Sequence, residues 1–210
     1  MSFWPYAFWI AAGYCSGSVL YAWLLPKIFR GMDISETSED KNPGTFNAIA
    51  QTGLPLGLTA LLLELITGFL PVFIALRRLP PEGLAFGMVL TAPVVGHMFP
   101  LWRGFRGGKA VAVSFGCRLG LLPGFHVVWI LAFFYVLYSL VIKISPHGLR
   151  SCAAYVCFGA ACLLLEPNMS VKLGCAAVAL LVTIMHFASA KAEWEMLREE
   201  KKVSWYGGRK

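Results

Sequence analysis

The sequence predicts an all-α polytopic membrane domain with seven transmembrane helices, and three observations predict it. Of 210 residues, 58% are hydrophobic and 14% are charged, and mean hydropathy is +0.66; soluble domains carry roughly 25% charged residues. Apolar runs near the ~20 residues that cross a ~30 Å hydrocarbon layer recur along the whole length. The 18 basic residues fall almost entirely into alternate loops, as the loops of a multi-pass protein do.

The spans fall at 3–25, 53–76, 84–101, 110–122, 124–142, 150–166 and 170–190. The first lacks a basic leader and is dense in aromatics (Phe3, Trp4, Tyr6, Phe8 and Trp9), so it reads as a retained helix and not as a cleaved signal. The second holds Glu64. An acid within the bilayer is costly, so Glu64 is either functional or the partner of Arg118 in the fourth span, and both readings stay open. That fourth span is short, so it is expected to be tilted, broken or buried among the others. Turn chemistry separates spans at Pro80-Pro81-Glu82-Gly83, Pro123-Gly124, Ser145-Pro146-His147-Gly148 and Glu166-Pro167-Asn168. Cys15, Cys117, Cys152, Cys157, Cys162 and Cys175 lie in apolar segments with no C-x-x-C pair, and read as buried packing residues, not disulfides or a metal site. The chain divides into one domain, 1–190, and a basic amphipathic tail, 191–210, in which Trp194 and Leu197 beside the charges suit a surface-lying helix. No nucleotide-binding glycine pattern is present, and no metal and no cofactor is expected.

Charge sets the orientation. Fourteen of the 18 basic residues, among them Lys27, Arg30, Lys41, Arg103, Arg106, Lys109, Lys143, Arg150 and Lys191, lie on one side. Arg77, Arg78 and Lys172 lie on the other. The positive-inside rule puts the first set in the cytoplasm, the N-terminus outside and the C-terminus inside. The net charge of +7 suits anionic membrane lipid, at about 1 kcal/mol per basic residue. It does not suit nucleic acid, because it is spread over short loops without a folded reader.

Three motifs open toward the cytoplasmic side. Gly17-Ser18 lies near the inner end of the first span; such a pair is either a close-packing spot between helices or a ligand contact. Asp40-Lys41-Asn42-Pro43-Gly44-Thr45-Phe46-Asn47 lies in the long loop before the second span. It is at least a turn, and Asn42 and Asn47 around Gly44 are suited to bind a hydroxyl-bearing phosphate ester. The third motif runs from Gly96-His97 to Gly107-Gly108-Lys109. Glycines admit close backbone approach, and free N–H groups with a lysine suit phosphate oxygens. A lysine at a helix start adds to the positive end of the helix dipole, an odd placement unless an anion sits there; the bland alternative is a snorkelling lysine. His97 in this company is a candidate base or phosphate donor, and His186 near the inner end of the last span can face the same site. His126 and His147 read as structural.

At these loops the chain resembles the acyl-phosphate-dependent glycerol-3-phosphate acyltransferases, small bacterial membrane enzymes of seven spans. The resemblance runs through Gly17-Ser18 with Leu24-Leu25, Gly31-Met32-Asp33-Ile34, Asn42-Pro43-Gly44 and Asn47, and Leu63-Glu64 to Gly68, Leu70 and Pro71. It is closest across Gly96-His97-Met98-Phe99-Pro100 and Gly107-Gly108-Lys109 to Ser114. It implies transfer of a fatty acyl group from acyl phosphate to glycerol 3-phosphate, giving lysophosphatidic acid and phosphate for phospholipid synthesis at the bacterial cytoplasmic membrane. It implies catalytic roles for His97 and Lys109. Substrate contacts would come from Gly17, Ser18, Asn42, Gly44, Asn47, Gly107, Gly108, Ser114 and His186.

The chain departs from that pattern. Glu39-Asp40-Lys41 stands for a Gly-Ser-Gly, Ala50 for an arginine, Thr67 for a lysine, Glu64 for an aspartate, and His186-Phe187-Ala188-Ser189 for a His-Arg-x-Asn run. Lys41 is the residue placed to make up part of the lost charge. A second expectation is therefore a divergent acyltransferase with another acceptor, and a third is a non-catalytic scaffold or transporter of the same fold. Polar groups gathered at one surface disfavour transport, which favours broken helices at mid-membrane.

Overall fold

The computed structural model describes residues 3–38 and 40–207, with side chains described through Phe187 and at Lys191. Every regular element in it is helical: α1 (Trp4–Gly17), α2 (Tyr21–Arg30), α3 (Ile34–Thr37), α4 (Thr45–Thr52), α5 (Leu54–Arg78), α6 (Gly83–Met98), α7 (Val111–Leu119), α8 (Val127–Val136), α9 (His147–Leu165) and α10 (Met169–Gly207). Among the described residues, five stretches are long and apolar enough to cross a membrane: Trp4–Arg30, Leu54–Arg78, Gly83–Arg103, His147–Leu165 and Met169–Phe187. A sixth apolar stretch, Val127–Val141, is shorter, and it ends in one π-helical turn at Leu137–Val141.

Backbones approach closely where a Cβ is missing. A Cβ on Gly17 would lie 1.9 Å from the Pro93 carbonyl oxygen, and one on Gly96 would lie 2.1 Å from that of Tyr14, so α1 and α6 are pressed together at these two points. The same device joins α5 and α7: a Cβ on Gly68 would meet the Val113 carbonyl at 2.1 Å, and one on Gly116 would meet that of Leu65 at 2.1 Å. Small residues give membrane helices this approach. α7 is nine residues long, about 13 Å at 1.5 Å per residue, and its last two turns bury Ser114, Gly116, Cys117 and Arg118. The fourth predicted span is thus a short helix held inside the bundle.

The pairing of Glu64 with Arg118 does not form. Glu64 accepts from the Ala22 N–H at 3.1 Å and from the Thr45 hydroxyl at 2.9 Å. The chain breaks between α1 and α2, so the first N–H groups of α2 need acceptors, and Glu64 supplies one from α5. Arg118 instead donates to the Ser114 carbonyl at 3.1 Å and lies 5.5 Å over the Phe158 ring; its Nε and Nη2 are buried without a hydrogen-bond partner. The six cysteines are free; Cys15 is exposed and Cys157 half-buried, so the expectation of uniformly buried thiols holds for the other four. α10 continues as helix through Gly207. The predicted amphipathic face of the tail, with Trp194 and Leu197, lies outside the described side chains, as do Glu39 and Ser189.

Candidate functional site

A cavity of about 600 Å³ opens where the α3–α4 loop, the start of α7 and the start of α9 converge. Its polar end is lined by Asp40, Asn42, Gly44, Thr45, Asn47, Glu64, His97, Lys109, His147 and His186. Beyond them the wall turns apolar, with Leu61 and Leu65 from α5, Phe115 and Leu119 from α7, and Val128, Trp129 and Ala132 from α8. One space therefore joins a charged mouth to a hydrophobic slot.

Lys109 is fixed at the mouth. Its Nζ donates to Asp40 Oδ2 at 2.8 Å. The Asp40 carboxylate also accepts from Asn47 Nδ2 at 2.8 Å and from the Asn42 N–H at 3.2 Å. Burial alone would raise the Asp40 carboxyl, but the Lys109 ammonium and the Asn47 and Asn42 donors outweigh it and hold the group below the usual carboxylate range. Asn47 Nδ2 also donates to the Asn42 carbonyl at 2.8 Å, which closes the turn around Gly44. Among the described residues no side chain caps α7, whose entry residue Ala110 sits at φ +57°. First-turn N–H groups have no partner within a helix, and Ala110, Val111 and Ala112 at that end line the cavity.

Three histidines line the same polar end. His97 is buried, with Nδ1 lacking a partner. His186 is buried too, and its Nδ1–H donates to the Val182 carbonyl at 2.9 Å, which leaves Nε2 as the acceptor. His147 and His186 meet edge to face at 6.4 Å, and Phe46 stacks on His147 at 6.0 Å.

Of the residues the sequence points to, Asn42, Gly44, Asn47, His97, Lys109 and His186 converge on this cavity, and five do not. Gly17 packs on Pro93. Ser18 is buried, donates to the Tyr14 carbonyl at 2.8 Å and receives Trp102 Nε1 on its own carbonyl at 3.0 Å; the close-packing reading describes this pair. Ser114 donates to the Val111 carbonyl at 2.8 Å and pairs with the Tyr155 hydroxyl. The Gly107 and Gly108 N–H groups are not free for an anion, because they donate to the carbonyls of Met98 and His97, each at 3.1 Å. Their glycine requirement is steric: a Cβ on Gly107 would sit 2.0 Å from the His97 carbonyl oxygen, and one on Gly108 would sit 2.6 Å from His97 Nε2.

Arg103, Arg106 and Lys41 lie outside the cavity lining. Arg103 lies over the Trp23 ring at 4.2 Å and donates to Ser35 at 3.1 Å, and Lys41 is exposed outside the cavity lining. The anticipated compensation by Lys41 therefore does not appear. Sequence reasoning missed Asp40 and His147 as lining groups, and left Glu64 open between a functional role and a pairing with Arg118. His147 was legible from its loop, which shares a side with Lys143 and Arg150; the Asp40 ion pair spans 69 residues and had no local signal. Among the described residues, no three His, Cys, Asp or Glu side chains gather as a metal site requires.

The model of the family "Glycerol-3-phosphate acyltransferase" matches residues 7–196. A protein of that name from Myxococcus xanthus is 36% identical over 139 residues, covering 66% of this chain and 71% of its own. Another from Anaeromyxobacter dehalogenans is 31% identical over 198 residues, covering 92% and 95%. In fold, the chain is similar to the crystal structure of PlsY, an integral membrane glycerol 3-phosphate acyltransferase, in its glycerol 3-phosphate form. The TM-score is 0.76 at 21% identity, with 96% of this chain and 92% of that chain covered.

Proposed function

Since the chain belongs to the glycerol-3-phosphate acyltransferase family, we propose that it transfers a fatty acyl group from acyl phosphate to the hydroxyl of glycerol 3-phosphate. The products are lysophosphatidic acid and phosphate, in the service of phospholipid synthesis. The observation that carries this is the continuity of the cavity: a lysine and an uncapped helix start at one end, an apolar slot at the other. An acyl phosphate is the same shape, an anionic head on a hydrocarbon chain.

Acyl phosphate is a mixed anhydride with a good leaving group, so the protein has to align and stabilise more than activate. Lys109 and the first-turn amides of α7 hold the donor phosphate, and the acyl chain lies between α5, α7 and α8. Asn42 and Asn47 orient the acceptor. Its hydroxyl oxygen attacks the carbonyl carbon, the bond from that carbon to the phosphate oxygen breaks, and inorganic phosphate leaves. His97 and His186 hydrogen-bond the reacting groups, and the hydroxyl proton passes to a histidine or to phosphate. Gly107 and Gly108 serve by seating the loop on His97. No cofactor takes part.

The same proposal carries the topology. Residues 1–190 form one domain crossing a bacterial cytoplasmic membrane seven times, N-terminus outside and C-terminus inside, with 191–210 as a cytoplasmic tail. The short α7 and the stretch Val127–Val141 are counted with the five long spans. Fourteen basic residues on the side of the cavity mouth support this orientation, and membrane lipid is the partner it implies.

A second reading, the same transfer to a different hydroxylated acceptor, is favoured by one observation. Ala50 is exposed on α4, and Thr67 spends its hydroxyl on the Glu64 carbonyl at 2.8 Å, so neither position offers charge to an acceptor phosphate. Phosphate release from acyl phosphate by the membrane-embedded protein, with and without glycerol 3-phosphate and then with a panel of polyols and amino alcohols, tests both. Release that depends on glycerol 3-phosphate supports the first reading. Release that depends only on another acceptor supports the second, and no acceptor-dependent release removes both.

A further inference from the structure

The donors that suit a phosphate at the cavity mouth are already occupied by a carboxylate of the chain itself. Lys109 Nζ, Asn47 Nδ2 and the Asn42 N–H all converge on Asp40, at 2.8, 2.8 and 3.2 Å. Three donors around two oxygens is the coordination a phosphate would seek from the same groups. Asp40 reaches them from an exposed loop, with its side chain 30% accessible and that of Lys109 only 13% accessible; the lysine belongs to the cavity wall, and the acid is the visitor. The local fold allows a visitor to leave, because Gly44 and the Asn42–Asn47 bond close the turn without Asp40. Among the described residues, Lys109 is moreover the one lysine or arginine against two acids lining the cavity, and the second acid, Glu64, is held by Ala22 and Thr45.

We infer that Asp40 is an internal stand-in for substrate phosphate: it fills the anion cradle when the cavity is empty, and a phosphate ligand must displace it from Lys109. Asp40 then sets the affinity of the mouth for any phosphate: the cost of displacing it is common to all such ligands, so it weakens retention of the inorganic phosphate product, while a ligand that also fills the apolar slot keeps enough affinity to bind. This inference rests on the phosphate-handling part of the proposed function, but not on acyl transfer taking place.

The test is binding of inorganic phosphate to the purified full chain in detergent, followed by phosphorus NMR or calorimetry, beside the KM for acyl phosphate. Asp40→Asn keeps the shape and removes the charge; it is expected to bind phosphate about three- to fivefold more tightly, the scale of a partly exposed ion pair, with KM lowered by a similar factor and kcat changed less. Asp40→Glu is expected to stay near the parent, and Lys109→Ala to lose binding with either residue at 40. Asp40→Ser serves if Asp40→Asn melts early. Unchanged or weaker phosphate binding in a folded charge-free variant overturns the inference and makes Asp40 a residue that positions Lys109. Tighter phosphate binding in a protein that transfers no acyl group leaves the inference standing and sinks the acyltransferase reading instead.

Discussion

The Thr45 hydroxyl donates to Glu64 at 2.9 Å, joining the first turn of α4 to the middle of α5. Because the other Glu64 oxygen caps α2 through the Ala22 N–H, one buried carboxylate ties three helices together beside the cavity. Hydrogen bonds to a charged group contribute about 1.5–3 kcal/mol. Thr45→Val is expected to lower thermal stability in detergent by an amount in that range, and Glu64→Ala by more, since it also orphans the Ala22 amide. The double variant should lose less than the sum, with a coupling of about 0.5 kcal/mol or greater. Strict additivity would show that the bond does not form.

The loop that follows α6 is expected to tolerate alanine very unequally. Gly104 has φ +59° and open space around its missing Cβ, so Gly104→Ala costs only the left-handed penalty of about 1–2 kcal/mol. Gly107 faces the carbonyls of His97 and Met98, at 2.0 and 2.5 Å from a built Cβ, and nothing in that backbone can yield cheaply. Gly107→Ala should reduce folded yield sharply while Gly104→Ala leaves most of it. Equal losses in a fluorescence size-exclusion assay would contradict the stacking of this loop on α6.

How far the sequence carried depended on the range of each interaction. Apolar periods and turn residues are local, and they placed α5, α6, α9 and the start of α10 within a few residues, while α10 runs on to Gly207, past the expected end at 190. The clustering of Asn42, Asn47, His97 and Lys109 was also legible, through loop motifs and through the side on which basic residues fall. Hydrogen-bond partners were not. Gly107 and Gly108 look like anion donors until the carbonyls of Met98 and His97 arrive beside them, and Glu64 looks like a partner for Arg118 until the break before α2 leaves an amide to cap. The first outcome comes from contacts 9 and 11 residues apart and the second from one 42 residues apart, and composition and spacing encode neither.

Lys109→Ala is expected to lower turnover of acyl phosphate by about 100-fold or more, the loss typical of removing one group that stabilises developing charge. Lys109→Arg should recover part of it, because the charge returns with a different shape. Single-turnover rates separate this from weakened binding: the loss should persist at saturating donor. Near-normal turnover in the alanine variant would take Lys109 out of the site.

The pH dependence of turnover should come from histidine and not from the ion pair at the mouth. Asp40 titrates below its ordinary value, so its bond to Lys109 is complete above that value and is lost only as pH falls beneath it. Between about pH 5 and 8 the pair is constant, and that is the window in which an ordinary imidazole changes charge. The kcat profile of Asp40→Asn should therefore keep the midpoint of the parent. His97→Gln should cost about 10²–10⁴-fold and alter the profile if the imidazole moves a proton. An unaltered profile with a large loss of stability would assign His97 to packing under Gly108.

The apolar end of the cavity should set which acyl chains are used. Ala132 on α8 lines the slot together with Trp129, Leu65 and Phe115, and it is the smallest side chain among these four. Ala132→Phe fills space that the hydrocarbon tail would occupy, at no cost to the mouth where Lys109 and Asn42 lie. Shorter chains lose little, while each excluded methylene of a longer chain gives up about 0.8 kcal/mol of burial. In a competition between long and short acyl phosphates, the variant is therefore expected to shift kcat/KM toward the short donor by tenfold or more for two lost methylenes. If chain-length preference does not move, the tail lies elsewhere, and the groove between α1 and α6 lined by Ala7, Ala11 and Met88 becomes the place to mutate next.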